Sequence, residues 1–177
     1  MKKMIFAAFG LLCLASCAKQ PCCQLEHPCY SYDATIYELN TRQLTQEGTF
    51  KAAEAVLPEL KELGVDIIWI MPIQKIGELE RKGTLGSYYA ITDYCQFNPE
   101  FGTRADFEHF LAEAHKLGLK VILDWVANHT APDSEWTKNE GWHYRDSLGN
   151  LMVQYDWTDI SKLNYDNQDM RAAMKQD

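Results

Sequence analysis

Two kinds of apolar pattern alternate along the chain from about residue 34. ATIYELN, residues 34–40, alternates in polarity and is rich in strand formers, which predicts a strand. Thr49 can cap the helix that follows, where Ala52, Ala53, Val56, Leu60 and Leu63 keep helical spacing. Pro58 inside that pattern predicts a kink or a restart, and Gly64 ends the helix. VDIIWIMPI, residues 65–73, is a nearly continuous apolar strand closed by Pro72. A loop is predicted from Gln74 to about Gly102, carrying LGSYYAITDY, residues 85–94. Thr103 then caps a second helix, with Asp106 three residues on. Its apolar positions are Phe107, Phe110, Leu111, Ala114 and Leu117; His115 and Lys116 suit the last turn, and Gly118 ends it. VILDWVANHT, residues 121–130, starts as a buried strand and turns polar at Asp124, Asn128 and His129.

ELKELGVDIIWI and EAHKLGLKVILDW both read helix, Leu-Gly, strand. Strands that are apolar on both sides are usually covered on both faces, as in parallel α/β sheets. Strand–helix–strand–helix–strand begins a wound sheet or a barrel. No Gly-rich phosphate loop follows the first strand, which argues against a dinucleotide fold. Regularity fades from Ala131 to Lys162. Trp136, Trp142, Tyr144 and Trp157 there fit either a loop packed on its own aromatics or an excursion lining a carbohydrate groove. NYDNQDMRAAMKQD then predicts another helix start, capped by Asn164 or Asp166.

Composition changes the picture mainly at the amino terminus. The chain has 177 residues and a net charge of −8, which suits one domain and argues against a nucleic-acid partner. MKKM precedes the apolar run IFAAFGLLCL, which is too short to span a bilayer and has the order of a secretory signal peptide. The run closes with LASC, which resembles the lipobox of bacterial lipoproteins. That resemblance implies a signal peptide over 1–16, lipidation of Cys17 and a location in the cell envelope, on the periplasmic or surface side. Removing Lys2 and Lys3 takes the charge from −8 to −10, so lipid rather than charge would hold the protein at the membrane. Residues 17–31 read as a Cys-rich tether. Cys22, Cys23 and Cys29 beside His27 could bind a metal, but adjacent cysteines fit no usual ligand spacing, and a tether with one disulfide is preferred. Cys95 stands alone and is expected to be a small buried residue.

In α/β barrels the active site lies at the carboxyl ends of the strands, where Asp124, Asn128 and His129 fall. Strand alternation puts Asp124 on the side of Ile122 and Val126, pointing inward. Spacing alone leaves a satisfied structural cluster and a functional site equally open. DWVANH (124–129) resembles the first conserved region of the alpha-amylase family of glycoside hydrolases. GVDIIWIMPI (64–73), GSYYAITDY (86–94), NPEFGTRADFEHFLAEAHKLGLKVILD and DWTDISKLNYDN (156–167) are similar to further segments of that family, in order. The resemblance runs over residues 33–177.

The resemblance implies an α/β fold, an incomplete (β/α)8 barrel of three strand–helix units with a short excursion, 131–162, after the third strand. It implies that Tyr89 stacks on a glucosyl ring, that His129 hydrogen-bonds the same sugar, and that Asp124 supports the site. Asn128 matches a position that binds calcium in many members, so calcium is a candidate cofactor. Tyr88 stands where many relatives have Gly or Pro and is expected to narrow the groove. Family catalysis uses an Asp after the fourth strand, a Glu after the fifth and an Asp after the seventh, and no residue here matches them. Residues 32–177 are therefore expected to be the amino-terminal part of a barrel, with no catalytic residue on this chain and no activity of their own. The implied function is retaining hydrolysis of α-1,4-glucan. The alternatives are a non-enzymatic glucan-binding or assembly member of the family and a tethered binding module.

Overall fold

The computed structural model describes residues 27–176. The expectations for residues 1–16, Cys17, Cys22 and Cys23 lie outside them. The chain divides into two units, Met1–Asp33 and Ala34–Asp177. Among the described residues of the first, a 3₁₀ turn spans Cys29–Ser31, where Ser31 Oγ donates to the Pro28 carbonyl at 2.8 Å. Cys29 is exposed and forms no disulfide with a described residue.

The second unit begins with β1 (Ile36–Leu39), α1 (Thr41–Leu44), α2 (Phe50–Glu54) and α3 (Leu57–Glu62). It continues through β2 (Ile67–Ile70), β3 (Gln74–Ile76), β4 (Ile91–Phe97), α4 (Arg104–Lys116) and β5 (Lys120–Leu123). It closes with β6 (His129–Thr130), β7 (Ser161–Lys162) and α5 (Gln168–Ala173). β1, β2 and β5 form one parallel sheet in that order, with Ile36 opposite Ile67 and Ile67 opposite Lys120. These described strands do not close into a barrel.

Helix signals were local and the structure follows them. Thr49 Oγ1 accepts from the Ala52 N–H, and Thr103 with Asp106 completes a reciprocal capping box. Pro58 stands in the first turn of α3, where its missing N–H would have no partner, so the helix restarts there. Gly118 ends the α4 turn with φ 75°, a left-handed value that a side chain would resist. The predicted face of α4 buries Phe107, Phe110 and Ala114. Phe50 meets Phe107 edge-on at 5.2 Å and Phe101 at 5.9 Å. Leu39, Ile68, Ile70, Leu57 and Leu60 complete the same core.

Several expectations are corrected. Within the parallel sheet, only the central strand β2 is buried along most of its length. Ile36 is 56% exposed, Ile122 46% and Leu123 44%, because β1 and β5 each have one hydrogen-bonded neighbour among the described strands. The stretch read as a loop from Gln74 holds the antiparallel hairpin β3–β4, whose pairing is interrupted by bulges and so lacks regular alternation. Cys95 on β4 is exposed rather than buried. The last helix is capped by Asn167, whose Oδ1 accepts from the Met170 N–H, while Asn164 instead closes a turn onto the Asp166 N–H.

The excursion is irregular but tied at its base. β6 and β7 pair antiparallel, His129 opposite Lys162 and Thr130 opposite Ser161. Trp136 lies edge-on to Trp142 at 5.0 Å and against Tyr94 at 5.1 Å, beside Leu163, Met170 and Met174. These two tryptophans are half-buried and pack against that cluster.

Candidate functional site

The carboxyl end of β5 delivers Asp124. Its N–H donates to the Ile70 carbonyl at 2.9 Å, extending the parallel ladder one residue past the strand. The side chain is therefore aimed by the sheet. Its Oδ2 accepts the Tyr89 hydroxyl at 3.1 Å. Tyr89 comes from the turn before β4, where its own N–H donates to Ser87 Oγ at 3.2 Å.

His129 opens β6 and is buried. Its Nε2 is 3.1 Å from the Tyr89 carbonyl, and its Nδ1 is 3.0 Å from the Asn128 side-chain nitrogen. Only a neutral ring protonated on Nε2 satisfies both, since Nδ1 must accept. Burial holds the His129 pKa below the ordinary value, opposed in part by the Tyr89 carbonyl and the Asp159 charge. Burial, then the charge and hydrogen bond of Asp124, then Glu38, push the Tyr89 phenol up to about 12. Tyr89 is thus a lasting donor to Asp124. The Tyr94 hydroxyl sits between the carbonyls of Val126 (2.9 Å) and His129 (3.0 Å), bracing the turn that carries the imidazole.

Tyr89 and His129 open on a cleft of about 360 Å³, lined also by Lys82, Ser87, Trp157, Asp159 and Ile160. Its walls combine aromatic faces with an ammonium, a carboxylate and an imidazole. That mixture suits a ligand with apolar faces and a rim of hydroxyls, held by stacking and a few polar contacts. Lys82 Nζ lies 3.5 Å from Asp159 Oδ1 and donates to the Asp156 carbonyl at 3.2 Å.

Of the residues singled out in the sequence, Tyr89, Asp124 and His129 are brought together. Asn128 lies on the exposed side, where Nδ2 donates to Gln154 Oε1 at 2.8 Å. Calcium takes six to eight oxygen ligands. The side chains bonded to Asn128 are an imidazole and an amide, and no cluster of three His, Cys, Asp or Glu that could hold a metal occurs among the described residues. Both bonds use Asn128 Nδ2, and the described residues assemble no calcium shell around it. Tyr88 does not narrow the cleft. It packs on the main core under the Arg42 guanidinium, 4.3 Å from the ring centroid, and its hydroxyl accepts from Asn40. The alternation expected from Ile122 through Asp124 to Val126 does not reach Val126. Regular strand ends at Leu123, and beyond it Val126 is buried whereas Ile122 within the strand is exposed. Lys82 and Asp159 were missed, since a loop lysine and one Asp among many carry no local signal.

A family model described as "Alpha amylase, catalytic domain" matches residues 38–141. Alpha-amylase MalA of Haloarcula japonica is 30% identical over 83% of this chain and 23% of its own length. An oligo-1,6-glucosidase of Parageobacillus thermoglucosidasius is 35% identical over 59% of this chain and 18% of its own. The crystal structure of an alpha-amylase from Lactobacillus plantarum superposes with a TM-score of 0.79 at 44% identity, over 81% of this chain and 34% of that one. The chain thus spans about a fifth to a third of the length of these relatives.

Proposed function

The chain belongs to the alpha-amylase family, and from that premise we propose that it forms part of a glycoside hydrolase acting on α-1,4-glucan, starch and maltooligosaccharides, with retention. The observation that carries this reading is the linkage of Tyr89 to both Asp124 and His129 at the mouth of one cleft. The Tyr89 ring supplies a flat apolar face for a glucosyl unit. Asp124 fixes the hydroxyl end of that ring, and His129 fixes its backbone. His129 reaches the sugar by exchanging the Tyr89 carbonyl for a sugar hydroxyl at Nε2. A neutral imidazole can donate there without bringing a charge into the site.

Cleavage needs an acid for the leaving oxygen and a carboxylate at the anomeric carbon, about 5–5.5 Å apart in retaining enzymes. The residues above bind and orient. The family resemblance assigns cleavage to strands four, five and seven. A relative with a different printed linkage, the oligo-1,6-glucosidase, is also similar to this chain, so the choice of α-1,4 rests on the family resemblance to alpha-amylases. Lipidation at Cys17, and with it a place in the cell envelope, belongs to the same proposal and rests on LASC.

The test is kinetics of the full-length protein on maltooligosaccharides. Tyr89→Ala loses ring stacking, worth on the order of 1 kcal/mol, and kcat/KM falls at least several-fold. His129→Ala falls likewise. Wild-type kinetics in either variant removes that residue from the site. Binding without turnover in the wild type moves the protein to the non-enzymatic members of the family.

A further inference from the structure

Among the described residues, Glu80 and Tyr155 are the non-glycine residues with left-handed backbone, each at φ 56°. Such a conformation is costly for an L-residue and persists only where its surroundings enforce it. Both lie beside Lys82, which ties two loops across the cleft. Glu80 is two residues before it. Tyr155 directly precedes Asp156, whose carbonyl accepts from Lys82 Nζ. The same ammonium faces Asp159, whose side chain is only 7% exposed.

Tyr155 sits at the corner of a tight turn closed by the Trp157 N–H on the Gln154 carbonyl at 3.1 Å. Gly or Asn would make that corner with less strain. The chain instead places there a Tyr that is 77% exposed, its ring edge-on to Trp157 at 5.1 Å. Trp157 is in turn edge-on to His129 at 6.4 Å and lines the cleft. The rings of His129, Trp157 and Tyr155 therefore form a file running outward from the place assigned to the first sugar. Lys82 and Asp159 flank the file with a donor and an acceptor. A linear glucan has matching alternation, with apolar ring faces bordered by hydroxyls. Trp136 and Trp142, from the same excursion, are half-buried against the Leu163 cluster, while Tyr155 and Trp157 are the aromatics of the excursion that are exposed.

We propose that Tyr155 and Trp157 form a second sugar-ring platform, taking a further glucosyl unit of an α-glucan chain, with Lys82 as the positioning residue that holds the turn. This rests on the cleft being a sugar site. It makes the protein select for chain length: a single glucoside meets only the Tyr89–His129 end, and a longer glucan reaches the second platform as well.

Calorimetric titration of the full-length protein tests it, with maltopentaose and methyl α-glucoside as probes. Tyr155→Asn accepts the left-handed corner, so its Tm stays at the wild-type value. Its affinity for maltopentaose falls about fivefold while that for methyl α-glucoside is unchanged, the size expected for one lost stacking contact. Tyr155→Phe keeps the ring and binds maltopentaose as the wild type does. Unchanged maltopentaose affinity in Tyr155→Asn overturns the platform, and so does an equal loss for both sugars. If the wild type binds neither sugar, the sugar reading of the cleft fails and the platform with it. If Tyr89→Ala weakens both sugars while Tyr155→Asn weakens neither, the cleft reading stands and only the platform fails.

Discussion

Tyr89 shows how one residue can be over-determined. Its hydroxyl, its carbonyl and its N–H are each held by a different partner: Asp124, His129 and Ser87. The ring is therefore presented to the cleft with little freedom left to lose on binding. Gly77 makes a comparable point about space. A Cβ there would stand 2.4 Å from Asp133 Oδ1 and 2.5 Å from the Ala131 Cβ. Asp133 cannot simply withdraw, because its Oδ2 accepts the N–H groups of Glu78 (2.8 Å) and Leu79 (3.2 Å). Gly77→Ala should therefore push the hairpin loop away from the excursion and cost about 1–3 kcal/mol, as overpacking does. Denaturant titration of the full-length protein measures it. An unchanged midpoint would mean that this contact opens freely.

At the scale of elements, the excursion depends on a buried imidazole. Thr130 Oγ1 donates to the Ala131 carbonyl, so at 2.8 Å it accepts from His143 Nε2. His143 Nδ1 is buried without a partner among the described residues. Burial, with Arg145 adding to it, lowers the His143 pKa to about 4 from an ordinary value of 6.5. The unfolded chain takes up a proton near 6.5 and the folded chain resists until about 4. The stability tied to a neutral His143 is thus fully present above pH 6.5 and is lost as the pH falls through that window. It amounts to roughly 3 kcal/mol at most. Melting curves from pH 7 to pH 4 should show Tm falling. His143→Gln, which keeps an amide donor for Thr130 and cannot titrate here, should flatten that slope. Equal slopes in the two proteins would place the acid sensitivity elsewhere.

At the scale of the whole molecule, two features concern where the protein sits and what covers it. The outer strands β1 and β5 expose Ile36, Ile122 and Leu123, apolar surface of the kind that unpaired strands normally hide. The other feature is LASC at residues 14–17, after MKKM and a short apolar run. If Cys17 carries the lipid, Cys17→Ser leaves an acidic protein with nothing to hold it at an anionic surface. The variant should move from the membrane fraction to the soluble one, as read by fractionation after a salt wash. A variant that still pellets would show that the anchor lies elsewhere.

What the sequence determined by itself was local or periodic. The caps at Thr49 and Thr103, the restart at Pro58, the face of α4 and the apolar runs of β2 and β5 all follow from contacts within a few residues. The family segments, being contiguous, were legible for the same reason. The hairpin β3–β4 was not, because bulges break the alternation by which a strand is recognised. Tertiary structure alone decided which aromatics of the excursion pack against a core cluster and which face the cleft. Trp136 and Trp157 look alike in sequence, and only their neighbours, Tyr94 and Trp142 for one and His129 and Tyr155 for the other, separate them. The same holds for Lys82 and Asp159, 77 positions apart along the chain and 3.5 Å apart across the cleft. Such a pair exists only because the hairpin and the excursion are both fixed at the carboxyl end of one sheet. No local pattern can encode a meeting whose distance is set by the packing of everything between.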